Sequence, residues 1–210
     1  MARVKEVKPL EYTLEAELEE MGYTAVCGVD EAGRGPLCGP VVAAAVILPT
    51  GLYIEGLNDS KKLTEKKREA LYDVICESAI AYAIVEGSVE EINETDILQT
   101  TMHAMRRAIE QLPVKADYAL VDGNMARNFP VPVKTVVKGD ATSPSIAAAS
   151  ILAKVTRDRL CIKMDEQYPM YGIAKHKGYG TKDHMDALRA HGAAKEIYRT
   201  KFIRFLDRDE

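Results

Sequence analysis

The stretch from Ala25 to Leu48 limits what this chain can fold into more than any other. An apolar run, Ala25-Val26-Cys27-Gly28-Val29, reads as a buried strand, and two adjacent carboxylates, Asp30 and Glu31, stand at its end. Gly33-Arg34-Gly35 then turns the chain, and a second apolar run, Val41 to Leu48, follows before Pro49. Strand, acidic pair, glycine turn and strand make a hairpin-like unit with charge at its mouth. Neighbouring carboxylates at the end of a buried strand repel each other and lose hydration. A hard divalent cation, which takes oxygen ligands, would offset that cost. Glycines let the backbone approach a ligand closely, and Arg34 is a planar donor suited to phosphate. An ordinary Asp-Glu pair in a surface turn stays open as the alternative. A dinucleotide-binding loop does not fit, because the spacing is G-x-G-x-x-x-G, Pro36 interrupts it, and a strand-like run follows where a helix is required.

Later segments repeat the opening logic. Tyr118-Ala119-Leu120-Val121-Asp122-Gly123 is an apolar strand with an aspartate at its end, and Lys134 to Asp140 reads as a further short strand ending in aspartate. Ligands of open α/β sheets collect outside the carboxyl ends of strands, so Asp122 and Asp140 join Asp30 and Glu31 as candidates, with turn capping as the other reading. Ala81 to Gly87 supplies another strand. Helices are expected from about residue 8 to 21, with Leu10, Leu14, Leu18 and Met21 on one face; after Thr64 as a cap, with Leu71, Val74 and Ile75 inward; over 94–111; and from Ser143-Pro144, a cap followed by a first-turn proline, to about Tyr168. Asp158, in mid-helix as Thr-Arg-Asp-Arg, fits an ion pair at least as well as a metal ligand.

Binding candidates lie outside these strands. Asp59-Ser60-Lys61-Lys62 offers a hydroxyl and two ammonium groups before a helix, either a phosphate contact or a solvated basic loop. Tyr179, between Gly178 and Gly180, reads as an accessible ring able to stack on a sugar or base, or as a ring folded onto the core edge. His176, His184 and His191 lack the partners and spacing of a zinc site, and His103 reads as a helix-face residue. The tail from 182 to 205 alternates basic and apolar residues and is expected to form one or two helices. There is no internal repeat, low-complexity segment or clear linker.

The net charge of −4 argues weakly against a nucleic-acid partner, but distribution matters more than the sum. Residues 1–60 hold 4 Lys/Arg and 10 Asp/Glu, whereas residues 154–204 hold 12 Lys/Arg and 6 Asp/Glu. An acidic N-terminal part and a basic C-terminal third suit a polyanion held locally. No apolar run approaches the ~20 residues of a membrane span, the first residues have no signal-peptide pattern, and the four cysteines form no C-x-x-C. A cytoplasmic chain in a reducing compartment, with no membrane partner, is the expectation.

Asp30-Glu31-Ala32-Gly33-Arg34-Gly35-Pro36 resembles the signature of the type 2 ribonucleases H, specifically bacterial ribonuclease HII. The likeness spans roughly residues 22–192 and includes, in order, Asp59 to Leu63, Val121 to Gly123, Lys138 to Asp140, Ser145 to Arg159 and His176 to His184. It implies an α/β chain with the ribonuclease H-like fold, a five-stranded mixed sheet flanked by helices. Residues 1–160 would form the catalytic domain, including the N-terminal helix 8–21, and residues 161–210 a helical C-terminal extension that contributes to substrate binding. It implies Asp30, Glu31, Asp122 and Asp140 as catalytic ligands of two divalent cations, Mg²⁺ or Mn²⁺. Gly33, Arg34 and Gly35 would read a ribose 2′-hydroxyl, Tyr179 would stack at the RNA–DNA junction, and Lys61, Lys62 and Lys154 would lie near the backbone of the nucleic acid. The implied partners are RNA–DNA hybrids and ribonucleotide-containing duplex DNA, cut 5′ of a ribonucleotide to leave 3′-hydroxyl and 5′-phosphate ends. A monomer is expected, and Phe202 to Glu210 shows no evident sliding-clamp motif. Two rivals remain: a related nuclease acting on DNA junctions, and a binding module whose carboxylates are structural.

Overall fold

The computed structural model describes residues 9–206, so the first residue of the expected N-terminal helix, the extreme ends of both expected segments and the last tail residues lie outside the described residues. Strand β1 (Val26–Ala32) runs antiparallel to β2 (Val41–Ile47), which pairs antiparallel with β3 (Ala81–Gly87). On the other side β1 lies parallel to β4 (Tyr118–Asp122), and β4 parallel to β5 (Val133–Val136). The sheet order is β3-β2-β1-β4-β5, a mixed five-stranded sheet.

The helices are α1 (Thr13–Glu20), α2 (Glu65–Ser78), α3 (Val89–Glu94), α4 (Ile97–Glu110), α5 (Pro144–Gln167), α6 (Ile173–His176) and α7 (Lys182–His191). Side chains alternate across a strand, and this sorts β2 between two cores. Ala43 and Ala45 pack with Met102, Met105 and Ile109 of α4, whereas Val42, Ala44 and Val46 pack with Leu71 and Ile75 of α2 and Ile151 and Leu152 of α5. A third cluster joins Cys38 and Cys161 to Tyr171, Ile173, Leu188 and Tyr198, tying the C-terminal segments to the turn after β1.

Several expectations shift. Helix α1 begins at Thr13 and Met21 is exposed, because the chain turns at Gly22 with φ +96°, while Leu10 packs before the helix starts. Val74 faces solvent, leaving Leu71 and Ile75 as the inner face of α2. The 94–111 helix breaks at Thr95, and Asp96 caps α4 by accepting the Gln99 N–H. β5 stops at Val136, so Asp140 is not at a strand end but in a 3₁₀ turn, Gly139–Ala141. The tail forms α7, in keeping with one or two expected helices, then a turn over 195–197 and a 3₁₀ turn at Thr200–Phe202.

The N-terminal helix also does more than pack. Glu15 is buried, and its Oε1 accepts the Ser143 hydroxyl at 2.6 Å and the Ser145 N–H at 3.2 Å. Ser143 caps α5, its Oγ accepting the Ile146 N–H, with Pro144 in the first turn. A carboxylate on the first turn of a helix complements the partial positive charge there, so α1 fixes the end of α5 that abuts the sheet.

Candidate active site

The β1–β4 register builds the site. Val29 pairs with Val121 in a parallel ladder, so Asp30 and Asp122 follow on adjacent strands, about 4.8 Å apart along the pairing direction. Alternation puts both on the α5 face, since Val29 and Val121 belong to the α4 core. The 3₁₀ turn then folds Asp140 against them, and the Gly139 N–H donates to Asp122 Oδ1 at 2.7 Å. Lys138 enters that turn with φ +58°. Asp30 Oδ1 accepts the N–H of Glu31 at 2.7 Å. Asp30 and Asp140 are buried, and Glu31 is mostly so.

This cluster is electrostatically unbalanced. Burial, then the charges of Glu31, Asp122 and Asp140, push the Asp30 carboxyl well above the ordinary range, although the Glu31 N–H opposes this. Burial raises Glu31 against the pull of Arg34, and burial with the charges of Asp59 and Asp122 raises Asp140 against Lys61. The nearby cations are modest compensation: Lys61 Nζ lies 3.5 Å from Asp140 Oδ2, and Arg34 Nη1 lies 3.5 Å from Glu31 Oε1.

Among the described residues no three His, Cys, Asp or Glu side chains are drawn into a ready-made metal cage. The donor set nonetheless fits hard divalent cations: four carboxylates, all oxygen, with uncompensated negative charge and side-chain oxygens beyond those already bonded to backbone.

The imbalance has a pH signature. A carboxyl whose folded pKa is raised binds its proton more tightly in the folded state. That stabilisation is present below the ordinary range near 4 and is lost as pH rises through the raised value. In metal-free protein, Asp30→Asn is therefore expected to gain thermal stability relative to the parent as pH rises from about 4.5, since asparagine keeps the acceptor for the Glu31 N–H and carries no charge. A difference in melting temperature that is flat, or that shrinks with pH, would remove the electrostatic account.

Next to the carboxylates lies the turn. Gly33 has φ +99°, and a Cβ there would fall 2.0 Å from Arg157 Nε, so no other residue fits. Arg34 and Gly35 are exposed, and a Cβ on Gly35 would sit 3.4 Å from Tyr179 Cε1. Tyr179 is 49% exposed, so its ring is accessible beside the turn. Its carbonyl accepts from His184 Nδ1 at 2.9 Å, and His184 Nε2 then accepts the Tyr198 hydroxyl at 2.8 Å. Burial pushes the His184 pKa down, consistent with a neutral ring in those two roles, and His176 stacks on it at 4.1 Å.

The lysines divide. Lys61 is at the carboxylates, whereas Lys62 pairs with Asp59 and Lys154 is held by Asp158 at 2.6 Å. Arg68 reaches the other Asp158 oxygen at 3.6 Å and donates to the carbonyls of Ser60 and Leu63. Asp158 is thus engaged in ion pairs that brace the Asp59–Leu63 loop.

Two buried groups leave no signal in the sequence. Arg157 and Arg199 are 1% and 0% exposed, and both donate to carbonyls of the turn after β1. Arg199 Nε bonds the Gly39 carbonyl at 2.9 Å, its Nη1 those of Arg34 and Pro36 at 3.0 and 2.8 Å, and its Nη2 that of Gly33 at 2.7 Å. An arginine whose partners are backbone carbonyls leaves no acidic counterpart to find in the sequence.

A family model described as Ribonuclease HII matches residues 27–205. The chain is 56% identical over 183 residues to ribonuclease HII 1 of Methylibium petroleiphilum, covering 87% of this chain and 92% of that one. It is 57% identical over 177 residues to the ribonuclease HII of Dechloromonas aromatica, covering 84% and 90%. The crystal structure of ribonuclease H2 from Pyrococcus horikoshii superposes with a TM-score of 0.74 at 27% identity, over 89% of this chain and 98% of that one.

Proposed function

The chain belongs to the ribonuclease HII family and is an endoribonuclease of the ribonuclease H type, and within that class we propose that it cuts RNA–DNA hybrids and, in duplex DNA, cleaves on the 5′ side of single embedded ribonucleotides, leaving 3′-hydroxyl and 5′-phosphate ends. The observation that carries this reading is the meeting of two features: four carboxylates of unbalanced charge, and an accessible Gly-Arg-Gly turn beside an exposed tyrosine.

Asp30, Glu31, Asp122 and Asp140 would hold two divalent cations, Mg²⁺ or Mn²⁺. Bound there, such ions neutralise phosphate charge and lower the pKa of a water nucleophile. The chain's own residues do the rest. Arg34 offers planar donors to a phosphate next to the cut, and Lys61 adds positive charge on the same side. The turn reads the 2′-hydroxyl, the group that separates RNA from DNA at a site. Tyr179 presents a ring face to the sugar at the junction, carried by the C-terminal segment 161–210, which on this reading helps to grip the duplex. Lys62 and Lys154, held by Asp59 and Asp158, serve the loop and helix that border the phosphates.

The test is a labelled DNA duplex with one ribonucleotide, run beside an all-RNA–DNA hybrid and an all-DNA duplex, with Mg²⁺, Mn²⁺ or EDTA. One metal-dependent cut 5′ of the ribonucleotide, with an extendable 3′-hydroxyl, is expected. Cutting of the hybrid alone would overturn the junction-reading role, and cutting of the all-DNA duplex would favour a junction nuclease.

A further inference from the structure

The turn that reads the ribose is not held by its own sequence. Between Gly33 and Pro40, seven carbonyls are engaged by two buried arginines. Arg199 takes those of Gly33, Arg34, Pro36 and Gly39 through its side chain and that of Leu37 through its backbone N–H. Arg157 takes those of Cys38 and Pro40 at 3.3 Å each, and it ties Lys177 to the same cluster at 3.0 Å. Among the described residues neither guanidinium has a carboxylate within ion-pair distance. Beside those carbonyls the Arg199 guanidinium meets only the Phe202 ring, 5.4 Å from its central carbon, and a buried cation satisfied mainly by carbonyl dipoles ties its stability to where those dipoles point.

Peptide geometry fixes where the donors of the turn point. In a trans peptide the C=O and the following N–H point in opposite directions, and there is no cis peptide bond among the described residues. The Gly33 and Arg34 carbonyls face Arg199, so the N–H groups of Arg34 and Gly35 project the opposite way, at residues that are exposed. The same segment closes on the turn by backbone: Gly39 N–H donates to Ile197 O at 2.8 Å, and Cys38 bridges Tyr198 antiparallel.

We propose that Arg199, seconded by Arg157, is a positioning residue for ribose selection, its guanidinium fork turning the Arg34 and Gly35 amides outward as the donors that meet the 2′-hydroxyl. This rests on the ribose-reading role proposed above. The C-terminal segment then sets specificity without touching substrate, by holding a backbone about 160 residues away in sequence. Lysine cannot replace the fork: an ammonium offers three donors about one point, whereas the fork spans carbonyls on several sides.

The test compares binding of two labelled duplexes, identical except for one ribonucleotide, by protein carrying Asp122→Asn to prevent cleavage. The parent is expected to prefer the ribonucleotide duplex by about tenfold or more. Adding Arg199→Lys should lower the melting temperature, because carbonyls lose their donor, and in protein that remains folded should bring that ratio close to one while all-DNA affinity changes little. Arg157→Lys, which removes bonds to the Cys38, Pro40 and Lys177 carbonyls but leaves those of Arg199 to Gly33 and Arg34, should lower the ratio partially and serves if Arg199→Lys does not fold. A preference in the parent that survives in a folded arginine variant, or an equal loss on both duplexes, would overturn the proposal. No preference in the parent would instead remove the ribose-reading role, and the proposal with it.

Discussion

Replacing Asp122 with asparagine is expected to lower metal-dependent cleavage by roughly a thousandfold while leaving the fold intact. Asp122 stands between Asp30 on the neighbouring strand and Asp140 on the 3₁₀ turn, and its Oδ1 accepts the Gly139 N–H at 2.7 Å. Asparagine can keep that acceptor, so the turn that carries Asp140 should stay in place. What it removes is one of the negative charges that push up the Asp30 and Asp140 carboxyls. Stabilisation of developing charge by bound cations is worth several kcal/mol, and about 4 kcal/mol corresponds to roughly a thousandfold in rate. Cleavage rates with saturating Mg²⁺, alongside a denaturation curve, separate the two effects. A folded variant retaining a tenth of parental activity would take Asp122 out of the chemistry.

The largest effect on stability is expected from a single methyl group. A Cβ on Gly28 would fall 2.1 Å from the Ser145 carbonyl carbon and 2.3 Å from the Ile146 N, atoms of the α5 backbone that no rotamer change can move aside. Gly28 is there for closeness, since its φ is not in the left-handed region. To admit Gly28→Ala, α5 must retreat from β1. That opens the packing of Leu120 with Ile146 and loosens the Ser143 cap held by Glu15. Overpacking a filled core costs about 3 kcal/mol at the upper end of its usual range, and equilibrium denaturation should show a loss of at least that size. A loss below about 1 kcal/mol would mean that helix and strand are not in backbone contact.

These two residues illustrate what could be read in advance. The hairpin at Asp30-Glu31 was legible because an apolar run, an acidic pair and a glycine turn each have their own local physics, and the caps at Thr64 and Ser143 followed for the same reason. Asp122 was legible as a strand end. Asp140 was legible only as a candidate. Its strand stops four residues early, and a left-handed Lys138 and a 3₁₀ turn supply the geometry instead. Gly28 gave no sign of its role, because a glycine inside an apolar strand looks the same whether or not a helix lies against it. Glu15, Arg157 and Arg199 were hidden more deeply. Apart from the Lys177 carbonyl, 20 residues from Arg157, their side-chain hydrogen-bond partners are backbone groups or a serine more than a hundred residues distant, so no periodicity or charge pattern announces them.

Metal is expected to gather at the four carboxylates, and the position of Mn²⁺ by anomalous scattering from crystals of the protein with a hybrid duplex locates it. The expected result is manganese signal among Asp30, Glu31, Asp122 and Asp140, greatly reduced in the Asp122→Asn protein. Manganese located elsewhere, with none at these carboxylates while the same preparation cleaves RNA, would contradict it.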